Sequence, residues 1–501
     1  MIARLCLFLW TLCLAAPALA EWHRAESEHY IVHADMREAD LREIVQTLED
    51  LDRVLRALMP PRIEPGQKLQ LYLTPGYDRI SGIVGMRVSG FPAYSPESMM
   101  AFARFSFAEP AGIRYEAAFF YAADRHLEQA YFQPMPPWLG SGFPQFFATA
   151  YRDEEGHFIL GAPDYRRPLI HPVAAEEVRT ALTDKTSPRN QQQFARFYSV
   201  AGAVTAPLLA EPAYAGVLER YVRAYASGMT MEQAAAELGD FETLLDRIDK
   251  RAKRKRPKLR RFELAPGPPA AIALRPMRRD EIALIDLRFE RLREKSRKQA
   301  AQRLRALTGR MPDSALVWYE YAAAEFGLVQ NSEFAGDPLF RGFGFANGEL
   351  IVTANRYPDA EAWRAVNRAL AIDPAMPEAR RLRAEILLNR LVRAGDPDDA
   401  AGYGEVRAAL APLARDPRRN PLAAALYHQS YVEQGIAPPP EAFEQLEEAF
   451  RANASVTDFR YAYAVALSRL GRVGEARSLL TSMLNDPKFE AAARRALEAA
   501  P

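Results

Sequence analysis

The sequence predicts an α+β N-terminal domain followed by an all-α solenoid of helical repeats. Strand-like alternation and helix-like periodicity succeed one another over the first hundred residues, as in Lys68–Leu73 and then Met99–Phe107. A basic and proline-rich stretch at 251–279 separates this part from the rest. From Asp280 onward the chain reads as helix after helix, with alanine at close-packing positions and recurring Asp-Pro ends.

Residues 1–20 are expected to be a signal peptide. Arg4 gives a positive start, Leu5–Leu14 is an apolar core too short to span a membrane comfortably, and Ala18-Leu19-Ala20 forms a cleavage site. Both cysteines lie inside this segment, so a mature chain would have no disulfide and no cysteine metal site. Export to the periplasm, or secretion after cleavage near Ala20, is therefore predicted. The preference for Arg over Lys is typical of a GC-rich bacterium.

The N-terminal elements begin with a strand predicted over Trp22–Ala34 and a helix predicted over Glu38–Leu58, whose leucines, isoleucine and valines recur at helical spacing. His29 and His33 are four residues apart. On a strand that separation is about 13 Å, so one ion cannot bridge them. They are predicted to face solvent or to form hydrogen bonds.

The segment from Tyr115 to Tyr151 organises the N-terminal half. A helix-like stretch, Ala117–Tyr131, precedes a proline-rich turn, and a second apolar stretch opens at Trp138. This arrangement resembles the gluzincin-type metallopeptidases of the peptidase-MA-like branch. In that family the first helix carries His-Glu-x-x-His, which binds zinc and activates water, and the second helix supplies the third ligand.

The resemblance implies the fold but not the chemistry. The positions of the two ligand histidines and the catalytic glutamate are occupied by Tyr121, Arg125 and Ala122, and the third ligand position is Ser141. Gln145 replaces the acidic residue that follows it. We therefore expect a pseudopeptidase with no catalytic residues, no metal ligands and no cofactor.

A second possibility is a zinc metallopeptidase with non-standard ligands. Asp124, His126 and Glu128 are the nearby candidates. His126 is one residue past the expected ligand and so points about 100° away on the helix. A catalytic zinc needs three convergent protein ligands, which this spacing does not provide. Zinc is expected only under this alternative.

The rest of the N-terminal half is predicted to be a hairpin at Arg152–Asp164, with His157 at the surface, and then helices such as Gln191–Ala210. The predicted domain spans 21–250. The basic run Lys250–Arg261 fits a solvated helix end and linker better than a phosphate or nucleic-acid site, because it lacks interleaved aromatic residues before Phe262.

The 280–501 part is predicted to be a TPR-like array. Gly471–Pro487 closely resembles the second half of a tetratricopeptide repeat, a helix-turn-helix unit of about 34 residues. A helix bundle without repeats is the alternative. The predicted helices pair as Ala360–Ile372 with Pro377–Arg393, Val406–Arg415 with Pro421–Gln434, and Glu441–Arg451 with Asp458–Leu470, followed by a terminal Glu475–Leu484.

These features predict an exported, inactive peptidase-like scaffold that binds a protein or peptide partner through its repeats. The net charge of +1 gives no field that would attract nucleic acid. No transmembrane segment is expected. The identity of the partner, peptide binding in the vacant cleft, the oligomeric state and the number of repeats are left open.

Overall fold

The computed structural model describes residues 21–64, 66–131, 135–161, 173–184, 191–252, 259–265, 267–333, 359–453, 456–486 and 489–499. The predicted signal peptide lies outside these ranges. The fold is a mixed α/β N-terminal part followed by a long series of helices, as the sequence predicts at this level. Within the described ranges, no helix has the length and apolar character needed to cross a membrane.

The N-terminal part contains a six-stranded mixed sheet in the order β4-β5-β3-β2-β1-β9. The strand pairs β2–β3 and β3–β5 are parallel, whereas β1–β2, β1–β9 and β4–β5 are antiparallel. The single strand predicted over Trp22–Ala34 is in fact a hairpin. The strands are β1 (Trp22–Glu26), β2 (Tyr30–Asp35), β3 (Leu69–Thr74), β4 (Gly90–Ser95), β5 (Ser98–Arg104) and β9 (Ala273–Pro276).

Both faces of this sheet are buried, because successive side chains on a strand point to opposite sides. Leu71 and Ala101 join the core on one face, where α1 (Glu38–Leu58) and the later helix α4 lie. Tyr72 and Phe102 join a second core on the other face. The short helix α2 (Asp78–Val84) contributes Ile80 to that second core.

The Tyr115–Tyr151 segment forms the predicted pair of helices, after a short turn of helix α3 (Ala111–Arg114): α4 (Glu116–Tyr131) and α5 (Pro137–Ala148). Trp138 is fully buried at the start of α5, and its indole N–H donates to the Tyr221 hydroxyl at 3.0 Å. Gly142 lets α5 approach α7 closely, since a Cβ there would lie 2.4 Å from the Ala201 carbonyl oxygen. The helices that follow are α6 (Ala175–Thr183), α7 (Gln191–Ala210), α8 (Val217–Ala226), α9 (Met231–Ala235) and α10 (Phe241–Ala252).

The segment predicted as a linker supplies two strands to the N-terminal part. Strand β8 (Arg260–Phe262) pairs with β7 (Phe158–Leu160), which also pairs with β6 (Tyr151–Arg152). Strand β9 pairs with β1 at the edge of the main sheet. The predicted linker therefore contributes strands to the N-terminal part. Its proline-rich sequence gives no indication of these two short strands.

The C-terminal part is a series of helices, most of which pair with their neighbours in sequence. Pro377, Pro421 and Pro440 stand at the first turns of their helices, where proline lacks only an N–H that has no helical partner. The predicted pairs match within a few residues, except that the helix predicted to begin at Val406 begins at Ala400. No bounds were predicted for the helices between 279 and 333 or for the last helix, Glu490–Ala499. The helices are α11 (Arg279–Leu292), α12 (Glu294–Arg310), α13 (Ala315–Glu333), α14 (Ala360–Ile372), α15 (Pro377–Ala394), α16 (Ala400–Ala414), α17 (Pro421–Glu433), α18 (Pro440–Ala452), α19 (Thr457–Arg469), α20 (Val473–Ser482) and α21 (Glu490–Ala499).

Helix α11 joins the two parts, because it is buried on two sides. Ile285 and Phe289 lie in the core against the sheet, and the Phe289 ring is 4.2 Å from that of Phe102. Leu284 and Leu287 lie in the first core of the helical array. The domain boundary predicted at Asp280 therefore falls inside a packed junction.

The array also contacts the N-terminal part far from α11. The Gly66 N–H donates to the Ala452 carbonyl at 2.9 Å. Near the C-terminal end, the Asn485 side chain donates to the carbonyl oxygens of Tyr225 and Met229, at 3.3 and 2.7 Å. The array therefore lies against the N-terminal part from its first helix to its last turns.

Candidate functional site

The residues at the positions where the expected resemblance would put zinc and catalytic groups are packed into the domain. Tyr121 is 5% exposed on α4, and its ring lies against Gly90 of β4. Ala122 and Arg125 are also buried. The Arg125 guanidinium donates to the Gln67 carbonyl at 2.9 Å and lies 6.0 Å from the centre of the Tyr30 ring.

The second helix keeps its packing role. Ser141 is half-buried on α5, next to Gly142 at the α7 contact. Gln145 lies against Gly202 of α7. Small residues and aromatic rings thus hold the helix hairpin together.

Burial raises the pKa of Tyr94, as do the charges of two of the three alternative zinc ligands, Asp124 and Glu128, whereas His126 bonds elsewhere. Asp124 accepts a hydrogen bond from the Tyr94 hydroxyl at 3.2 Å, and burial raises the pKa of Asp124 to about 7. The His126 Nε2 forms a hydrogen bond of 2.8 Å with the Met59 carbonyl oxygen, and burial lowers the pKa of His126. Glu128 acts on the buried Arg460 of α19. Burial lowers the pKa of Arg460 to about 10, whereas the charges of Asp486 and then Glu128 raise it. Asp124, His126 and Glu128 are not among the groups whose ligand atoms cluster in the described structure.

We expect the purified mature protein to contain far less than one zinc per chain. The reason is that Asp124, His126 and Glu128 do not bring three ligand atoms together in the described structure. Elemental mass spectrometry after dialysis against chelator-free buffer measures this. A full equivalent would contradict the expectation, and its loss in H126A but not in H157A would place the ion on α4.

Another acidic group lies in the hairpin between β6 and β7. Asp153, Glu155 and His157 have their ligand atoms within 4.8 Å of one another, alone among the described residues in doing so. The Arg261 guanidinium already lies among them, 3.2 Å from Asp153, 3.4 Å from Glu155 and 2.6 Å from His157 Nδ1. This cluster therefore has a resident cation, and it fixes β8 onto the hairpin.

A cavity of about 790 Å³ lies between the sheet and the helical array, and it is here called the junction cavity. The sheet contributes Ile31, His33 and Met100, and the array contributes residues from α11, α13, α15 and α17. Arginines from both parts line it, as do comparable numbers of acidic residues. The arginines include Arg24, Arg275, Arg278, Arg288, Arg291 and Arg381, and the acidic residues include Glu97, Asp280, Glu281, Asp313, Glu320 and Glu378.

An alternating ion-pair chain, here called the junction network, runs along one side of the junction cavity and ends at Glu385 outside its lining: Arg288, Glu320, Arg291, Glu97, Arg381 and Glu385. The successive N–O distances are 2.6, 2.7, 3.3, 2.7 and 2.5 Å. Glu97 lies in the turn between β4 and β5, so the network connects the sheet to α11, α13 and α15.

The network keeps its buried groups charged. Burial alone would raise the pKa of Glu97, but Arg381 and Arg291 hold it below the ordinary value. Burial alone would lower the pKa of Arg291, but Glu320 and Glu97 raise it above the ordinary value. Glu97 and Arg291 therefore hold each other in their charged forms across the contact between the sheet and the array.

His33 belongs to the lining of the junction cavity. It is 4% exposed, its ring stacks 4.3 Å from the Tyr72 ring, and neither ring nitrogen has a hydrogen-bond partner. Burial, then the charges of Arg288 and Arg24, lower its pKa to about 3. The sequence prediction is wrong for His33, whereas His29 does pair with Glu49 at 2.7 Å.

No protein-family model matches the chain, and comparisons with curated proteins and with solved structures found no match. The site therefore has to be interpreted from its own geometry. Sequence reasoning missed the junction network because its members come from distant segments, and each of them alone resembles an ordinary charged surface residue.

Proposed function

We propose that this is an exported, catalytically inactive peptidase-like protein of a bacterial periplasm that binds a peptide segment of a protein partner in the junction cavity. The observation that carries the proposal is that cavity, lined by the sheet on one side and by the TPR-like helices on the other. Ligand sites commonly occupy such junctions between domains.

The charge pattern favours a peptide over an apolar ligand or a nucleic acid. The lining offers guanidinium donors and carboxylate acceptors in comparable numbers, together with Ser314 and Asn420. Such a surface can satisfy main-chain amides and side chains of both signs. An extended phosphate backbone would require a predominantly cationic wall.

The contacts of the array with its own N-terminal part determine where a partner can bind. Because the array is held at α11, at Ala452 and at Asn485, the surfaces used there are already covered. The junction cavity lies between these contacts and is not covered by them. Binding there would involve the sheet as well as the repeats.

A photo-crosslinking amino acid, p-benzoylphenylalanine, tests the proposal when placed at Asp313, an exposed residue at the cavity. We expect a discrete adduct whose peptide, identified by mass spectrometry, maps to one segment of one partner. A synthetic copy of that segment should bind the purified protein and prevent the adduct.

The matched control places the same amino acid at Gln302, an exposed position on α12 outside the cavity lining. Equal adducts at both positions, or an identified segment that fails to bind the purified protein, would contradict peptide binding in the cavity.

A further inference from the structure

A second cavity, of about 460 Å³, lies where the 66–68 loop meets the 416–419 turn of the array. We call it the loop cavity. The loop is held in place, because the Gly66 N–H donates to the Ala452 carbonyl and a Cβ on Gly66 would lie 2.4 Å from the Arg418 carbonyl oxygen. Its walls are therefore fixed by backbone contacts between the two parts of the chain.

The loop cavity is lined by more cations than anions. Lys68, Arg125, Arg418 and Arg419 contribute to it, against Glu28 and Asp416. Three of these cations have carboxylate partners: Lys68 with Glu26 at 2.7 Å, Arg419 with Asp416 at 3.7 Å, and Arg418 with Glu448.

Arg125 differs from the other three. It is 3% exposed, and no carboxylate in the described structure lies within 4.0 Å of its guanidinium. Its Nε has no hydrogen-bond partner in the described structure, and one of its terminal nitrogens donates to the Gln67 carbonyl. A buried charge is costly unless it is paired. A side chain in this state at a cavity wall indicates an anionic ligand.

We propose that the loop cavity binds an oxyanion, a carboxylate or a phosphate group, with Arg125 as its buried anchor and Lys68 and Arg418 at its rim. A guanidinium presents parallel N–H donors that match two oxygens of such a group. The proposal does not depend on peptide binding in the junction cavity, which shares only Arg419 with this site.

The test is calorimetric titration of the full mature chain with potassium phosphate and, separately, with potassium glutarate at constant ionic strength. We expect saturable binding of at least one of them, weakened at least about tenfold in R125M. Binding of phosphate alone identifies a phosphate site, and binding of glutarate alone identifies a carboxylate site. R310M removes one exposed arginine outside the cavity and should bind like the wild type.

Folding of R125M is checked by its thermal melting, which we expect to be unchanged or raised, because it removes a buried charge that lacks a carboxylate partner. If R125M does not fold, R418Q at the rim replaces it and should weaken binding severalfold. The absence of saturable binding to the wild type, or equal binding to wild type and R125M, would overturn the proposal. If R125M does not fold, equal binding to the wild type and to R418Q would also overturn the proposal.

Discussion

We expect the E320A variant to lose about 3–5 kcal/mol of unfolding free energy relative to the wild type. Glu320 is 3% exposed and accepts hydrogen bonds from the Nε atoms of Arg288 and Arg291, at 2.6 and 2.7 Å. Its removal leaves Arg288 without its carboxylate partner inside the junction, while Arg291 stays paired to Glu97. Urea unfolding at pH 7.5, monitored by tryptophan fluorescence and by circular dichroism, measures the loss.

E378A is the matched control, since Glu378 lies at the same cavity on the exposed first turn of α15. A change within about 0.5 kcal/mol is expected there, as for surface substitutions generally. A second comparison replaces Arg288, Glu320 and Arg291 together by apolar residues of similar size. That variant should recover part of the loss, because it leaves fewer buried charges unpaired. A loss below about 1 kcal/mol in E320A would mean that water screens the network, and the junction would then depend on α11 packing alone.

The local elements of this fold could be predicted from the sequence, because each carries its own periodicity. The helix over Glu38–Leu58 and the Ala360–Ile372 helix begin and end where the pattern indicates. Strands β8 and β9 were missed for a physical reason. Short edge strands of three and four residues have no alternating core pattern of their own, and they form because β7 and β1 offer free edges.

The candidate sites were predicted much less well. The helix hairpin at Tyr115–Tyr151 was expected, but neither cavity was, since both form between segments far apart in sequence. Glu97 and Arg381 are 284 residues apart and still bond at 2.7 Å. Arg125 was identified only as a replacement for a zinc ligand, and nothing local indicates that it would be buried against the Gln67 loop without a carboxylate.

The two cavities also change the expected use of the helical array. Stacked repeats usually offer their surface to partners, but here three regions of the array contact the chain's own N-terminal part. A partner bound as we propose would therefore contact a composite surface, to which the sheet contributes residues such as Arg24 and the array contributes residues such as Arg278. Loosening the junction should then weaken binding in both cavities, even when no lining residue is changed.

The second large effect is expected from pH. The buried imidazole of His33 has a pKa of about 3, against an ordinary value of 6.5 in the unfolded chain. Because the folded-state pKa is depressed, the unfolded chain binds the proton more readily between these values. The contribution of neutral His33 to the free energy of unfolding is complete above about pH 6.5. It decreases as the pH falls, and about 2 kcal/mol of it is lost at pH 5. The positive charges of Arg288, Arg24 and Arg275 add to burial, and Glu281 opposes them.

H33F isolates this effect, since phenylalanine keeps the stack on Tyr72 and no hydrogen bond is lost. We expect the variant to match or exceed wild-type stability at pH 7.5, and to lose about 2 kcal/mol less than the wild type between pH 7.5 and pH 5. Burial lowers the pKa of His428 to about 4, so His428 also makes the free energy of unfolding fall at acid pH. That part of the pH dependence should remain in H33F and be absent in H428F. Urea unfolding across this pH range separates the two histidines. If H33F and the wild type respond to pH alike, the imidazole can be protonated within the fold, which would mean that water or a bound anion in the junction cavity reaches its ring nitrogens.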